Sequence, residues 1–137
     1  MPKKACRKTV IKIVIGNKKK GAACVIENSG TFLLLLRPTN SSWAPGQWAF
    51  AGGKLEPGET SLEAVIREVK EETGLDISNP KYLKNCSNKA VDTYYCDDYT
   101  GNVVIDFEHD DFRWVRPDEL GDYDLAPDVE KTIHSLA

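Results

Sequence analysis

Between Gly52 and Leu75 the chain reads GGKLEPGETSLEAVIREVKEETGL, and this stretch constrains the fold more than any other. Thr60 and Glu63 form a T-x-x-E capping box, and Gly74 stands where a left-handed residue closes a helix, so the spacing predicts a helix between them. Leu62, Val65, Ile66, Val69 and Thr73 recur at helical spacing and predict the stripe that faces a core. Glu68, Glu71 and Glu72 fall at i, i+3 and i+4, which crowds three carboxylates onto one face. A like-charge pair at that spacing costs about 0.2–0.5 kcal/mol even on an exposed helix. On a wheel of 100° per residue this acidic face lies beside the apolar stripe rather than opposite it. The carboxylates therefore point at the rim of the packed interior, where a purely solubilising face does not belong.

Two readings of the cluster follow from spacing alone. Oxygen ligands gathered this way suit a hard divalent cation such as Mg²⁺, which relieves their repulsion. Alternatively the cluster is a solvated face screened by Arg67, which lies four residues from both Glu63 and Glu71. The charge balance bears on the choice. At a formal net charge of -3 no overall positive field favours a nucleic-acid polymer, so an anionic substrate must be drawn in locally or through a cation.

With 137 residues, 41% hydrophobic and 28% charged, the composition predicts a single soluble domain over residues 1–137 with a proper core. The longest apolar run, FLLLL at Phe32 to Leu36, is far short of the roughly 20 residues that span a bilayer. No membrane association is expected. Cys6, Cys24, Cys86 and Cys96 are scattered without a CxxC pair, and nothing at the N-terminus reads as a signal peptide. These features predict free thiols and a cytoplasmic compartment.

Along the chain, TVIKIVIG at Thr9 to Gly16 reads as a strand, followed by a wet turn at Lys18 to Lys20. AACVIE and TFLLLLR flank Asn28-Ser29-Gly30 and predict an antiparallel hairpin. KYLKNCS, AVDTYYCDDY and NVVIDFEHDDFRWV read as further sheet with a turn at Thr100 to Asn102, RPDELGD as a short turn or helix, and PDVEKTIHSLA as a final helix presenting Val129, Ile133 and Leu136. The hairpins are too many for a simple parallel doubly wound sheet. The expected class is α/β, an α/β/α sandwich with a mixed β-sheet.

The segment Gly53 to Leu75 also resembles the signature of the Nudix hydrolases, G-x5-E-x7-R-E-U-x-E-E-x-G-U with U an aliphatic residue. Gly53, Glu59, Arg67-Glu68-Val69, Glu71-Glu72 and Gly74-Leu75 fill it without a departure. The resemblance implies a Nudix-type α/β/α sandwich and Mg²⁺- or Mn²⁺-dependent hydrolysis of a nucleoside diphosphate linked to another moiety. It makes Glu71 and Glu72 principal metal ligands, Glu68 a ligand or general base, Gly52 a ligand through its carbonyl, and Glu59 a further ligand or the partner of Arg67. Glu108, six residues before Trp114, resembles the additional loop glutamate of the MutT-like branch and is a second candidate for ligand or base.

A cation among these groups would neutralise phosphate charge while a carboxylate takes the proton of an attacking water. Arg37 and Lys54 are placed to reach a phosphate. Trp43, Trp48, Phe50, Tyr94, Tyr95 and Trp114 are candidates to stack on a base, although an aromatic residue in a strand more often packs in a core. His109 and His134 read as surface or packing residues. The expected substrate is a small nucleotide, first a (deoxy)nucleoside triphosphate, with ADP-ribose, a dinucleoside polyphosphate or a nucleotide sugar as alternatives. The expected assembly is a monomer or homodimer. A catalytically silent, nucleotide-sensing Nudix domain is the alternative of another class.

Overall fold

The computed structural model describes residues 19–137, so the strand expected at Thr9 to Gly16, part of the Lys18 to Lys20 turn and Cys6 lie outside the described residues. Asn28-Ser29-Gly30 closes the expected hairpin between β1 (Gly21–Asn28) and β2 (Thr31–Leu36), with Asn28 opposite Thr31. Ser29 and Gly30 take φ of 51° and 84°, and two positive φ values are what a tight hairpin turn requires if its twist is to match the strands.

Away from the turn the two strands part. The first half of β1 pairs antiparallel with β4 (Ala51–Lys54), Gly21 opposite Lys54, while the end of β2 pairs with β3 (Trp48–Ala49), Leu36 opposite Trp48. On its other side β1 runs parallel to β7 (Val91–Cys96), and β2 runs antiparallel to β9 (Asp111–Val115). Strand β6 (Lys81–Tyr82) pairs antiparallel with β7, and β5 (Asp76–Ile77) with β8 (Tyr99–Thr100) forms a separate two-stranded ribbon. The sheet is mixed, as expected.

Period-two alternation sends side chains to two cores. Cys24, Ile26, Leu33 and Leu35 pack against Ala64, Val65 and Val69 of helix α1 (Ser61–Thr73). Val25, Phe32 and Leu34 pack against Val129 and Ile133 of helix α2 (Val129–Leu136). The result is a helix–sheet–helix sandwich. Cys24 and Cys96 are buried free thiols and Cys86 is half-buried. Among the described residues no helix is long and apolar enough to cross a membrane.

Both caps of α1 are formed: Thr60 accepts from the Glu63 N–H while Glu63 accepts from the Thr60 N–H, and Gly74 closes the helix at φ 77°. The stripe expected on α1 needs correction. Val65, Val69 and Thr73 are buried, but Leu62 and Ile66 are 43% and 40% exposed, and the buried side is completed instead by Ala64 and Glu72. The helix is rolled toward its acidic edge because β4 meets it there with glycines, leaving the Leu62 and Ile66 edge in solvent.

A second correction concerns Asn102 to Asp110, which is not a strand. Its backbone instead donates to the last carbonyls of α1, Val104 N–H to Thr73 (2.8 Å) and Asp106 N–H to Glu72 (3.2 Å), groups that a helix end leaves without partners. KYLKNCS yields only the short β6 and a 3-10 turn at Lys84–Cys86, and Pro117–Asp122 is a 3-10 turn as expected.

Thr60→Ala removes one half of the capping box and should lower stability by about 1 kcal/mol in urea unfolding, with the fold retained. An unchanged midpoint would show that packing alone fixes the start of α1.

Candidate active site

The site is built where α1 lies against β4. A Cβ on Gly52 would come within 2.3 Å of the Ala22 carbonyl oxygen, and one on Gly53 within 2.1 Å of Glu68 Oε2. At Gly52 the obstruction is backbone and no side chain fits; at Gly53 it is the end of a side chain, so a Cβ there requires the Glu68 carboxylate to move. The Gly52 N–H donates to Glu72 Oε1 at 2.9 Å, so the bare ribbon both admits the two carboxylates and holds one of them.

Glu72 is only 6% exposed. Burial, and then the nearby charges of Glu68, Asp106 and Glu108, push its carboxyl up to about 8, against the downward pull of the Gly52 N–H. Glu68 is also raised, by burial first and by Glu71 and Glu108, with Arg67 opposing. Glu108 itself is exposed, on the turn at Phe107–Glu108.

Arg67 anchors the other end of the acidic face. Its Nε and a terminal nitrogen donate to the two oxygens of Glu59 at 2.7 and 2.9 Å, the two-pronged geometry that suits a guanidinium. It also reaches Glu71 Oε1 at 3.2 Å, Glu68 Oε2 at 3.5 Å and the Lys54 carbonyl at 3.0 Å. The Arg67 hydrogen bond, with a second from the Glu56 N–H, holds the Glu59 carboxyl down at about 2. Glu71 is exposed and paired with Arg67.

The chain around Glu108 contributes groups that the sequence reading passed over. His109 is buried, its Nδ1 lies 2.9 Å from Asp106 Oδ1, and Glu72, Asp106 and His109 each bring one ligand atom within 4.8 Å of the others. Among the described residues this trio, rather than Glu68, Glu71 and Glu72, is the set that converges so closely. The i,i+3 spacing of Asp106 and His109 was the available signal. Asp111 is spent on Arg113 at 2.7 Å, and Asp110 is exposed.

Carboxylate oxygens crowded around the buried Glu72, with Arg67 committed to Glu59, form a donor set short of positive charge. Those groups fit a divalent cation.

Beside the acids lies a cavity of about 410 Å³, at the place where β1 and β2 part, within the range of small-molecule sites. Lys20, Arg37 and Lys54 give its wall three cations, and Gly52 and Gly53 connect it to the acidic face. Arg37 is already engaged, donating to the Trp43 carbonyl (2.7 Å) and Ser41 Oγ (3.1 Å) with its guanidinium 5.1 Å from the Trp43 ring centre. Of the aromatic candidates, Trp43 and Phe50 line the cavity. The other four are committed elsewhere: Tyr94 is bonded to Ser61, Tyr95 to Glu27, Trp48 meets Tyr123 edge-on, and Trp114 stacks on Tyr99. Thr93 of β7 and Asp128 and Thr132 at the start of α2 complete a wall that sequence periodicity alone could not assign. His134 is exposed beside Glu130.

Over residues 17–136 the chain matches the family model described as NUDIX domain. It is 34% identical over 111 residues to the CTP pyrophosphohydrolase of Escherichia coli K12, covering 77% of this chain and 81% of that protein. It is 35% identical over 130 residues to the nucleoside triphosphatase NudI of Salmonella schwarzengrund, covering 82% and 90%. Among solved structures, the E. coli ORF135 protein superposes with a TM-score of 0.70 at 30% identity, covering 88% of this chain and 91% of that one. A MutT structure described from Aliivibrio salmonicida and Vibrio cholerae superposes at 0.75 and 23% identity, covering 86% and 98%, a likeness of fold.

Gly53→Ala should leave the circular dichroism spectrum of the folded protein in place while displacing Glu68, and turnover should fall at least about tenfold. Wild-type turnover would show that Glu68 can move without consequence.

Proposed function

The chain belongs to the NUDIX domain family, and we propose that it is a pyrophosphohydrolase converting a nucleoside triphosphate to the monophosphate and pyrophosphate with Mg²⁺ or Mn²⁺. The observation that carries this reading is the continuity, through Gly52 and Gly53, of the buried acidic face with a cavity walled by Lys20, Arg37 and Lys54. Relatives that bear the names CTP pyrophosphohydrolase and nucleoside triphosphatase support the substrate class and make CTP the first nucleotide to test.

In this reading Glu68, Glu71, Glu72 and Glu108 and the Gly52 carbonyl are the groups that hold the cation, and Glu59, whose two oxygens accept from Arg67, is the structural partner of Arg67. When bound, a divalent cation supplies charge neutralisation at the phosphates and a water activated for attack. The protein's own part is to place these groups and to accept a proton. Water attacks one phosphorus in line, a P–O bond forms, the P–O bond of the anhydride breaks, and the water proton passes to a carboxylate. Glu68, half-buried with a raised carboxyl, and Glu108, near it on an exposed turn, are the two acceptors in reach of this role. Arg67 is a positioning residue, fixing Glu59 and drawing on Glu71. Lys54 and Lys20 meet the phosphates, and Arg37 holds Trp43 where a base can stack.

Glu72→Gln and Glu71→Gln change charge but little volume, so each should keep the fold and lower turnover by roughly a hundredfold or more, since several kcal/mol of transition-state stabilisation is withdrawn. Wild-type rates from both in saturating Mg²⁺ would overturn the ligand assignment. Arg67→Lys keeps the charge and loses the fork; a weakened Mg²⁺ titration together with reduced kcat is expected, and a normal titration would contradict the positioning role.

The substrate is tested with a Mg²⁺-dependent panel of CTP, other canonical and oxidised triphosphates, ADP-ribose, dinucleoside polyphosphates and nucleotide sugars, with products identified by mass. Triphosphates should lead, yielding monophosphate and pyrophosphate. A better rate on ADP-ribose or a nucleotide sugar would move the substrate assignment, and nucleotide-induced stabilisation without turnover of any of them would favour the silent sensor.

A further inference from the structure

We propose that Asp106 and His109 form a buried latch that positions Glu108, and through it sets how tightly the site takes a divalent cation. This rests on the reading of Glu108 as one of the groups that serve the cation.

Glu108 sits at the tip of a turn, and the tip has little to hold it. Phe107 is 95% exposed and Glu108 is exposed beside it, so neither tip residue gains position from packing. The backbone bond that closes the turn, His109 N–H to the Asp106 carbonyl, is 3.5 Å long, at the outer limit for such a bond. The side-chain bond is the stronger closure: His109 Nδ1 meets Asp106 Oδ1 at 2.9 Å, with the two side chains only 5% and 17% exposed. A carboxylate can only accept, so Nδ1 carries the proton and donates it.

The foot of the turn is fixed in place. The Asp106 N–H donates to the Glu72 carbonyl at 3.2 Å, and the Asp110 N–H to the Leu36 carbonyl at 3.0 Å, so both ends are tied to framework elements, α1 and β2. The ligand atoms of Glu72, Asp106 and His109 lie within 4.8 Å of one another, which puts the latch against the most deeply buried carboxylate of the site. Glu108 is near enough to Glu68 and Glu72 for its charge to add, after burial, to the upward push on both carboxyls. The latch thus resembles the outer partners that orient ligands at metal sites, whose loss costs about 10–100-fold in metal affinity.

The test is a Mn²⁺ titration of the full chain, free ion read by electron paramagnetic resonance, for wild type, H109N, H109F, E108Q and E108Q/H109F. Asparagine offers a donor near the position of Nδ1, whereas phenylalanine keeps the buried volume without it. The expected result is a loss of about tenfold in Mn²⁺ affinity for H109F, near-normal affinity for H109N, and no loss in E108Q/H109F beyond that of E108Q.

Wild-type affinity in H109F overturns the latch, as does a double variant in which the two losses multiply. Equal damage in H109N and H109F shows that the imidazole itself is needed and overturns the latch in favour of direct ligation. Should H109F lose its cooperative melt, D106N replaces it, with a smaller loss expected that again vanishes in the E108Q background. A wild-type chain that takes up no Mn²⁺ overturns the reading of the site beneath the proposal, a failure separate from that of the latch alone.

Discussion

Helix α1 can carry carboxylates on its packed side because β4 meets it with bare backbone. A Cβ on Gly53 would meet the Glu68 carboxylate and one on Gly52 the β1 backbone at Ala22 and Ala23, while the Gly52 N–H bonds Glu72. That approach rolls the helix so that Leu62 and Ile66 face water and Glu72 faces the interior. It also explains why a like-charge cluster survives at the rim of a core. The repulsion is not avoided but distributed: Arg67 takes up Glu59 and Glu71, and the remaining acids stay close enough to shift one another's protonation.

The sandwich follows from the same seam. Strand β1 lies between α1 and α2, giving Cys24 and Ile26 to one core and Val25 to the other, while its edges accept β4, β2 and β7. Because β4 must stay with β1 to hold the glycines, and β3 stays with β2, the sheet opens between them. The cavity occupies that opening.

Local signals in the sequence were the readable ones. The hairpin at Asn28 to Gly30, both caps of α1, the mixed sheet and the final helix could be read directly, because turn chemistry, capping and periodicity act over a few residues. The acidic face was legible for the same reason. What could not be read depends on contacts between distant segments. The hydropathy of Leu62 and Ile66 predicted burial, but the glycines opposite decided the rotation of the helix. Likewise NVVID has the composition of a strand, yet Asn102 to Asp110 is drawn into serving the open carbonyls of α1. His109 read as a surface or packing residue; it is buried, and its position against Glu72 came only with the fold.

Strand β7 shows how far apart two kinds of change can be kept. Val91 and Thr93 turn to the cavity, while Tyr94 turns to the helix side, where its hydroxyl meets Ser61. One residue of travel along the strand separates a wall of the cavity from the support of α1. Replacements at Val91 or Thr93, or at Thr132 across the opening on α2, can remodel the shape offered to a ligand without entering the packing beneath the glutamates. Lineages that inherit this scaffold are thereby free to drift in what they accept while the hydrolytic apparatus stays under separate selection.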